Sequence, residues 1–421
     1  MSDPIPADAP TSDSSSRALL RERDFLLFLV ARFCSTLGVQ IQSVALGWQV
    51  YAIARLTHSV GESAFLVSMI GLAQFIPLLL LTLIAGETAD RLTRKRIIAI
   101  SLTLDAMSAG VLLVLALSGS HHLWPIFAIS VLFGASRAFL SPASSAMGPM
   151  LVPRSLLPRA IAWNSLAWQG GAIAGPALGG LLLIHSPGLA FGGSVVLYLL
   201  AATLALLVRH ATKPERQEGS RVELIKEGLS YVWNNKIVFG SISLDLFAVI
   251  LGGATALLPV FAKDVLHIGP GGFGLLRASP AIGAALVGIY LASNPIRRHA
   301  GHIMFAGVAV FGLATVVFGL SKLQWLSVGA LAVLGGADML SVYVRQTLVQ
   351  IVTPDAMRGR VAAVSGVFIS ASNELGEVES GAAAWLLGPV GAAVFGGVGA
   401  IAVTALWAYL FPALRKADRL E

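Results

Sequence analysis

Long apolar runs recur along this chain roughly every 30 to 35 residues, from about residue 25 to about residue 411. Most are about 20 residues or longer, the length a helix needs to cross some 30 Å of hydrocarbon. No single water-soluble core can hide so many of them. The rest of the composition agrees: 56% of residues are hydrophobic and only 12% charged, with a mean hydropathy of +0.79. The runs read as twelve spans, at about 25–53, 62–87, 97–118, 123–149, 158–185, 188–208, 236–262, 271–293, 300–320, 324–351, 359–387 and 389–411. The expected fold class is an all-α polytopic membrane protein of twelve transmembrane helices in two pseudo-symmetric six-helix bundles.

The cations set the orientation. Arg17, Arg21, Arg23, Arg91, Arg94, Lys95, Arg96, Arg154, Arg159, Arg297, Arg298, Arg358, Arg360, Arg415, Lys416 and Arg419 fall in the tails and even-numbered loops. The odd-numbered loops hold little more than Arg55, Lys263 and Lys322. The excess of positive loops marks the cytoplasmic side and puts both termini there. Because the cations alternate with the spans, the formal charge of +7 is not a nucleic-acid signature. Residues 1–20, rich in Pro, Ser and Asp, read as a disordered tail and not as a signal peptide. The N-terminal bundle then covers 21–209, a polar linker 210–235, the C-terminal bundle 236–412 and a tail 413–421. Within the linker, Val222 to Trp233 reads as an amphipathic surface helix, with Leu224, Ile225, Leu229 and Val232 on one side. The single cysteine, Cys34, rules out an internal disulfide.

The two halves repeat with an offset of about 201 positions. That shift lays Met150–Arg154 on Ile351–Asp355 and Arg159 on Arg360. It also lays Gly134 on Gly335, Arg137 on Asp338, Gly175 on Gly376 and Gly180 on Gly381. Each repeated unit is a helix, a Pro-bearing basic loop and a Gly-rich helix.

Between the second and third spans stands Gly86-Glu87-Thr88-Ala89-Asp90-Arg91-Leu92-Thr93-Arg94-Lys95-Arg96. This Gly-x-x-x-Asp-Arg-x-x-Arg-Lys-Arg loop resembles that of major facilitator superfamily transporters, with Thr93 where the family usually has Gly. The resemblance implies a conformational latch formed by Gly86, Asp90, Arg91 and Arg94, with Asp90 facing the start of span 11. The alternative is a plain basic anchor. Span 5 carries Gly171-Ala-Ile-Ala-Gly175-Pro176-Ala-Leu-Gly179-Gly180. Gly171, Gly175 and Gly179 share a helix face and permit close backbone approach. The run is similar to the motif of drug–proton antiporters in the superfamily, which implies an interface with span 8. Packing alone predicts the same contact. Trp48-Gln-Val-Tyr51, Gly71 to Pro77, Arg345-Gln-Thr and Asn373 to Glu379 resemble the enterobactin-exporter-like branch. The resemblance implies an inner-membrane exporter of siderophores and other amphipathic compounds.

Ionisable residues inside spans are the functional candidates, because each is costly in hydrocarbon. Arg137 in span 4 and Asp338 in span 10 occupy pseudo-equivalent places. Span 11 places Glu374, Glu377 and Glu379 in an otherwise apolar helix, the first two on one face. A carboxyl that gains and loses a proton within the membrane is what coupling to a proton gradient requires. Glu374, Glu377, Asp338 and Arg137 are therefore the proton-coupling candidates. A cation-binding lining and hydrogen bonding between helices are the alternatives. In the superfamily, spans 1, 4, 7 and 10 line a central cavity, which makes Arg32, Asp245, Arg345 and Trp48 cavity or substrate candidates. Trp163, Trp168 and Phe139 are further candidates if they face inward, and Asp105 in span 3 is less clearly placed.

The only His pair, His121-His122, has no acid or Cys beside it, and no phosphate-cradling Gly-Lys-Ser/Thr run occurs. No enzyme, metal site or cofactor is expected. The expected activity is secondary active transport, proton-coupled export of a small amphipathic, siderophore-like or drug-like compound across the bacterial inner membrane by alternating access. An uncoupled facilitator, an importer of a small metabolite and a non-transporting sensor remain open. The partners are the substrate, protons and the bilayer, with no nucleic acid, and a monomer is expected. Reporter fusions after Arg96, Arg216 and Glu421 should read cytoplasmic and one after His121 external. An external reading at Arg216 would sink this topology.

Overall fold

The computed structural model describes residue 19 and residues 22–209 and 221–417. Most of the N-terminal tail, part of the linker and the last residues lie outside the described residues. So do the side chains of Asp90 and Arg91, and with them the core of the expected latch. The first six spans are Arg23–Ala54, Val60–Arg91, Arg94–Leu117, Trp124–Met147, Leu157–His185 and Pro187–Leu206. The linker helix Arg221–Asn234 follows. Span 7 starts as Lys236–Gly252 and continues to Val265 through tighter and wider turns. Spans 8, 9 and 10 are Gly269–Ser293, Ala300–Leu320 and Gln324–Val352.

The last helical stretch, Asp355–Leu410, has 56 residues. A straight helix of that length would be about 84 Å long, nearly three times the hydrocarbon thickness. The chain breaks at Gly388 instead, with φ 75° and ψ 165°, a backbone conformation open to Gly and costly for other residues. Pro389 follows and cannot donate a backbone hydrogen bond. Residues 355–387 and 389–410 are thus spans 11 and 12, and the expected count of twelve holds. The ends of spans 1 and 12 lie on the face that carries the basic loops, called here the basic face.

Local chemistry explains several ends. Ser59 and Glu62 form a reciprocal capping box at the start of span 2, with bonds of 2.9 and 3.3 Å. Asn235 Oδ1 accepts from the backbone of Ile237 and Val238 and opens span 7. The linker helix docks on the C-terminal half. Glu227 pairs with Arg360, Tyr231 Oη donates to Val352 O at 2.9 Å, and Val232 joins a buried cluster with Val361 and Val364.

The internal repeat is realised in packing. A Cβ on Gly134 of span 4 would strike the backbone of Gln74 in span 2, and one on Gly335 of span 10 would strike that of Pro280 in span 8. Gly175 of span 5 lies against Gln40 of span 1, and Gly376 of span 11 against Val249 of span 7. Between the halves, Gly180 of span 5 meets Gly274 of span 8, and Gly381 of span 11 meets Ser68 of span 2. Equivalent glycines make equivalent contacts. The span 5 motif is divided in its use: Gly171, Gly175 and Gly179 face span 1, whereas Gly180 and the Pro176 carbonyl meet Gly274 of span 8. One helical step turns a side chain by about 100°, so adjacent residues Gly179 and Gly180 serve different neighbours. The expectation that the whole run lies on span 8 is corrected accordingly.

These inter-half contacts all lie in the half of the bilayer opposite the basic face. Toward the basic face, Gly359 and Gly366 of span 11 meet nothing within 4 Å, and the Trp168 indole in span 5 is half exposed. The halves meet by direct contact on the opposite face. Closure rests on backbone contact: a Cβ on Gly180 would stand 2.6 Å from Gly274 Cα. Gly180→Leu should therefore force that seam apart. Spin labels at Leu56 and His267, in a Cys34→Ala background, should gain a longer-distance population by electron–electron resonance. An unchanged distribution would show that the seam does not depend on this approach.

Candidate functional site

The polar groups inside the membrane fall into three clusters. The first lies on the inter-half seam. Glu374 and Glu377 of span 11 both reach toward Gly71 of span 2, each with an Oε2 2.7 Å from where a Gly71 Cβ would stand. Span 7 is broken nearby, at Gly253, and its carbonyls and side chains are freed for other partners. Thr255 Oγ1 donates to Glu377 Oε1 at 3.2 Å, and Ser380 Oγ donates to Gly253 O at 2.6 Å. Arg277 of span 8 donates to Thr255 O at 3.4 Å. The cations acting on Glu374 are Arg137 and Arg277. Spans 2, 7, 8 and 11 thus meet around two carboxyls.

The second cluster belongs to the C-terminal half. Asp245 of span 7 and Arg345 of span 10 are buried and paired at 2.8 Å. The Arg345 NH1 and Nε groups make no well-aligned hydrogen bond, so the contact is mainly coulombic. Asp338 lines the same small cavity as Asp245, with Ser341, Val308 and Phe311. Asp338 is thereby grouped with Asp245 and Arg345.

The third cluster belongs to the N-terminal half. Arg32 and Arg137 line a cavity of about 220 Å³ with Ser35, Gln40, Ser141, Ser144 and Trp168. Every lining residue comes from spans 1, 3, 4, 5 and 6. This pocket lies within one bundle and not between spans 1, 4, 7 and 10. Asp245 and Arg345 do not line it, because both belong to the C-terminal half, where Asp245 lines the smaller cavity. Of the four rings expected to line it, only Trp168 does. Trp48 stacks on Phe273 of span 8 at 5.8 Å, on the closed side. Trp163 lines a separate groove with Phe33, and Phe139 packs against the N-terminal core. Deeper in the same half, Asp105 of span 3 is fully buried, with both carboxylate oxygens lacking a partner.

At the opposite face, Tyr51 and Arg55 of span 1 both reach Asp264 at the end of span 7. The tyrosine hydroxyl donates to the carboxylate, and the guanidinium stands 3.6 Å away. On the basic face, Arg94 NH1 donates to Ala146 O at 3.0 Å and Lys95 Nζ to Val208 O at 3.0 Å. These cations sit at the C-terminal ends of spans 4 and 6, where helix dipoles favour positive charge. Gly86 is buried in the last turns of span 2.

Sequence reasoning missed Arg277, although a lone arginine inside span 8 was a signal of the kind it used elsewhere. Thr255, Tyr51 and Asp264 carried no comparable signal. Their roles follow from the break in span 7 and from contacts more than 100 residues apart in sequence.

The sequence model of a family described as transmembrane secretion effectors matches residues 14–420. The chain belongs to that family of the major facilitator superfamily. Among curated relatives, the enterobactin exporter EntS of Citrobacter koseri is 27% identical over 399 residues, covering 93% of this chain and 92% of the relative. The enterobactin exporter EntS of Escherichia coli O139:H28 is 26% identical over 384 residues, covering 90% and 85%. In sequence the chain is thus similar to enterobactin exporters over nearly its whole length. A solved POT family transporter in complex with 5-aminolevulinic acid has a TM-score of 0.74 at 11% identity, covering 93% of this chain and 96% of that one. The nucleoside transporter NupG has a TM-score of 0.67 at 16% identity, covering 93% and 98%. These likenesses give the fold. The chain is a multi-pass membrane transporter of small molecules.

Replacing Asp245 by Asn removes the direct ion-pair partner of the buried Arg345 guanidinium and leaves only Asp338, which is outside ion-pair distance, beside it. Loss of one partner of a buried pair costs about 3–5 kcal/mol, whereas removing both costs far less. Thermal unfolding in detergent should therefore show Asp245→Asn strongly destabilised and Asp245→Asn with Arg345→Gln largely restored. Equal destabilisation in both would mean the pair is not the source of the effect.

Proposed function

We propose that this transporter exports a small amphipathic compound across the bacterial inner membrane in exchange for protons, by alternating access. The basic face is taken as cytoplasmic, with both termini there. The observation that carries the reading is the position of Glu374 and Glu377 on the seam between the halves, against Gly71. Parting that seam would bare both carboxyls to the external phase, and closing it would return them to the cytoplasmic route. A proton taken up outside could then be delivered inside only through the conformational change, which is the requirement for coupling. Asp338, beside the Asp245–Arg345 pair, is the second group proposed to relay protons. Export, as opposed to import, is supported by the secretion-effector family and by the enterobactin exporters among the relatives. On this reading the Gly86–Arg96 loop closes the cytoplasmic face in the other half of the cycle, with Asp90 meeting the N-terminus of span 11.

Sealed inverted vesicles with an imposed pH gradient test the proposal, with enterobactin as the first substrate supplied. Glu377→Gln and Asp338→Asn should each abolish uphill accumulation while leaving downhill exchange intact, because binding survives and coupling does not. Loss of both activities would make the residue structural or substrate-binding. Full uphill transport in both variants would remove these acids from the mechanism and leave Asp245 and Asp105 as the next acids to replace.

A further inference from the structure

We propose that the cavity of the N-terminal half is an anion subsite, so that the transported molecule carries an acidic group on an aromatic or otherwise apolar body. The inference rests on the transporter reading and adds the chemical class of the substrate. Arg32 and Arg137 both line the cavity. Counted from the basic-face ends of their helices they sit about 14 and about 15 Å deep, so they are at one level. Neither forms an ion pair among the described residues. The Arg32 Nε is buried without a hydrogen-bond partner among the described residues. The acids that act on Arg137, Asp105 and Glu374, are outside ion-pair distance.

Two guanidinium groups without a contact ion pair among the described residues are costly in such a place unless something supplies negative charge beside them. Elsewhere in this molecule buried cations are answered from within the chain, as Arg345 is by Asp245. A guanidinium offers a planar fork that fits carboxylate, sulfonate or phosphate oxygens. Gln40, Ser141 and Ser144 add neutral hydrogen-bonding groups to the lining, and Trp168 offers a half-exposed indole face for an aromatic ring. The volume, about 220 Å³, is smaller than the ~300–1,000 Å³ of a whole drug-sized site. It therefore takes the acidic ring and leaves the rest of the molecule in the space between the halves.

The test is a matched pair of probes, 2-naphthoate and its neutral isostere 2-naphthamide, titrated calorimetrically into the purified protein in phosphatidylcholine nanodiscs. The acid should bind about tenfold or more tightly than the amide, as expected for charge-assisted pairing. Arg32→Gln and Arg137→Gln should each bring the two affinities toward equality by weakening the acid far more than the amide, with thermal unfolding in the same nanodiscs reporting that the variants are folded. Arg137→Lys should give an intermediate ratio, because the charge survives and the fork does not. Equal affinity in the unmodified protein, an unchanged ratio in both Gln variants, or no detectable binding of the acid would overturn the proposal. Loss of naphthoate binding in phosphatidylglycerol nanodiscs would reassign the site to a lipid headgroup and overturn it too. Binding does not require flux. Acid-selective binding without transport would sink the export reading alone, and transport without acid selectivity would sink the subsite alone.

Discussion

Helices in a bilayer gain little by hiding apolar surface from lipid, since lipid is as apolar as they are. What holds them is close van der Waals contact and hydrogen bonding, and both improve when backbones can touch. In this transporter that contact is made at glycines. Gly134 on Gln74 and Gly335 on Pro280 join helices within each half, and Gly180 on Gly274 and Gly381 on Ser68 join the halves. The first pair of contacts makes each bundle a solid unit. The second pair lies on one face of the membrane only. A molecule assembled this way can part at the seam without dismantling either bundle, because the seam and the bundles use separate glycines.

The charges follow the same division. A matched acid and base, Asp245 and Arg345, are locked inside the C-terminal half. Arg32 and Arg137 stand in the N-terminal half without an ion-pair partner among the described residues. Glu374 and Glu377 lie on the seam, near Thr255 and Arg277. Each location sets what the group can do. A locked pair adds little beyond structure, whereas charges at a moving boundary change their surroundings whenever the boundary moves. The break in span 7 at Gly253 is part of this arrangement. It turns backbone carbonyls toward Ser380 and Arg277 that a continuous helix would have kept for itself.

Hydropathy made the spans legible to within a few residues, including the division at Gly388, because transfer into lipid is a property of each residue and its neighbours in sequence. The repeat was legible because equivalent glycines do equivalent work. Direction within the membrane was not. Trp48 reads as a cavity ring but stacks on Phe273, since its orientation is set by span 8, more than 200 residues away. Gly171, Gly175 and Gly179 read as a face for span 8 but serve span 1. Asp245 and Arg345 read as separate candidates but neutralise each other. A sequence pattern fixes which residues share a face, and only the assembled bundle fixes what that face meets.

The connection at Gly388 is one residue long, and three of the five other connections on that face are nearly as brief. Spans 5 and 6 are joined by Ser186 alone, spans 7 and 8 by residues 266–268, and spans 9 and 10 by residues 321–323. A cleaving protease needs a segment of chain that can leave the body of the protein and lie extended in its cleft. This face supplies little beyond residues 118–123, between spans 3 and 4, and 55–59, between spans 1 and 2. On that side a protease that digests surface loops is confined to those two connections, and the other four are armoured by brevity.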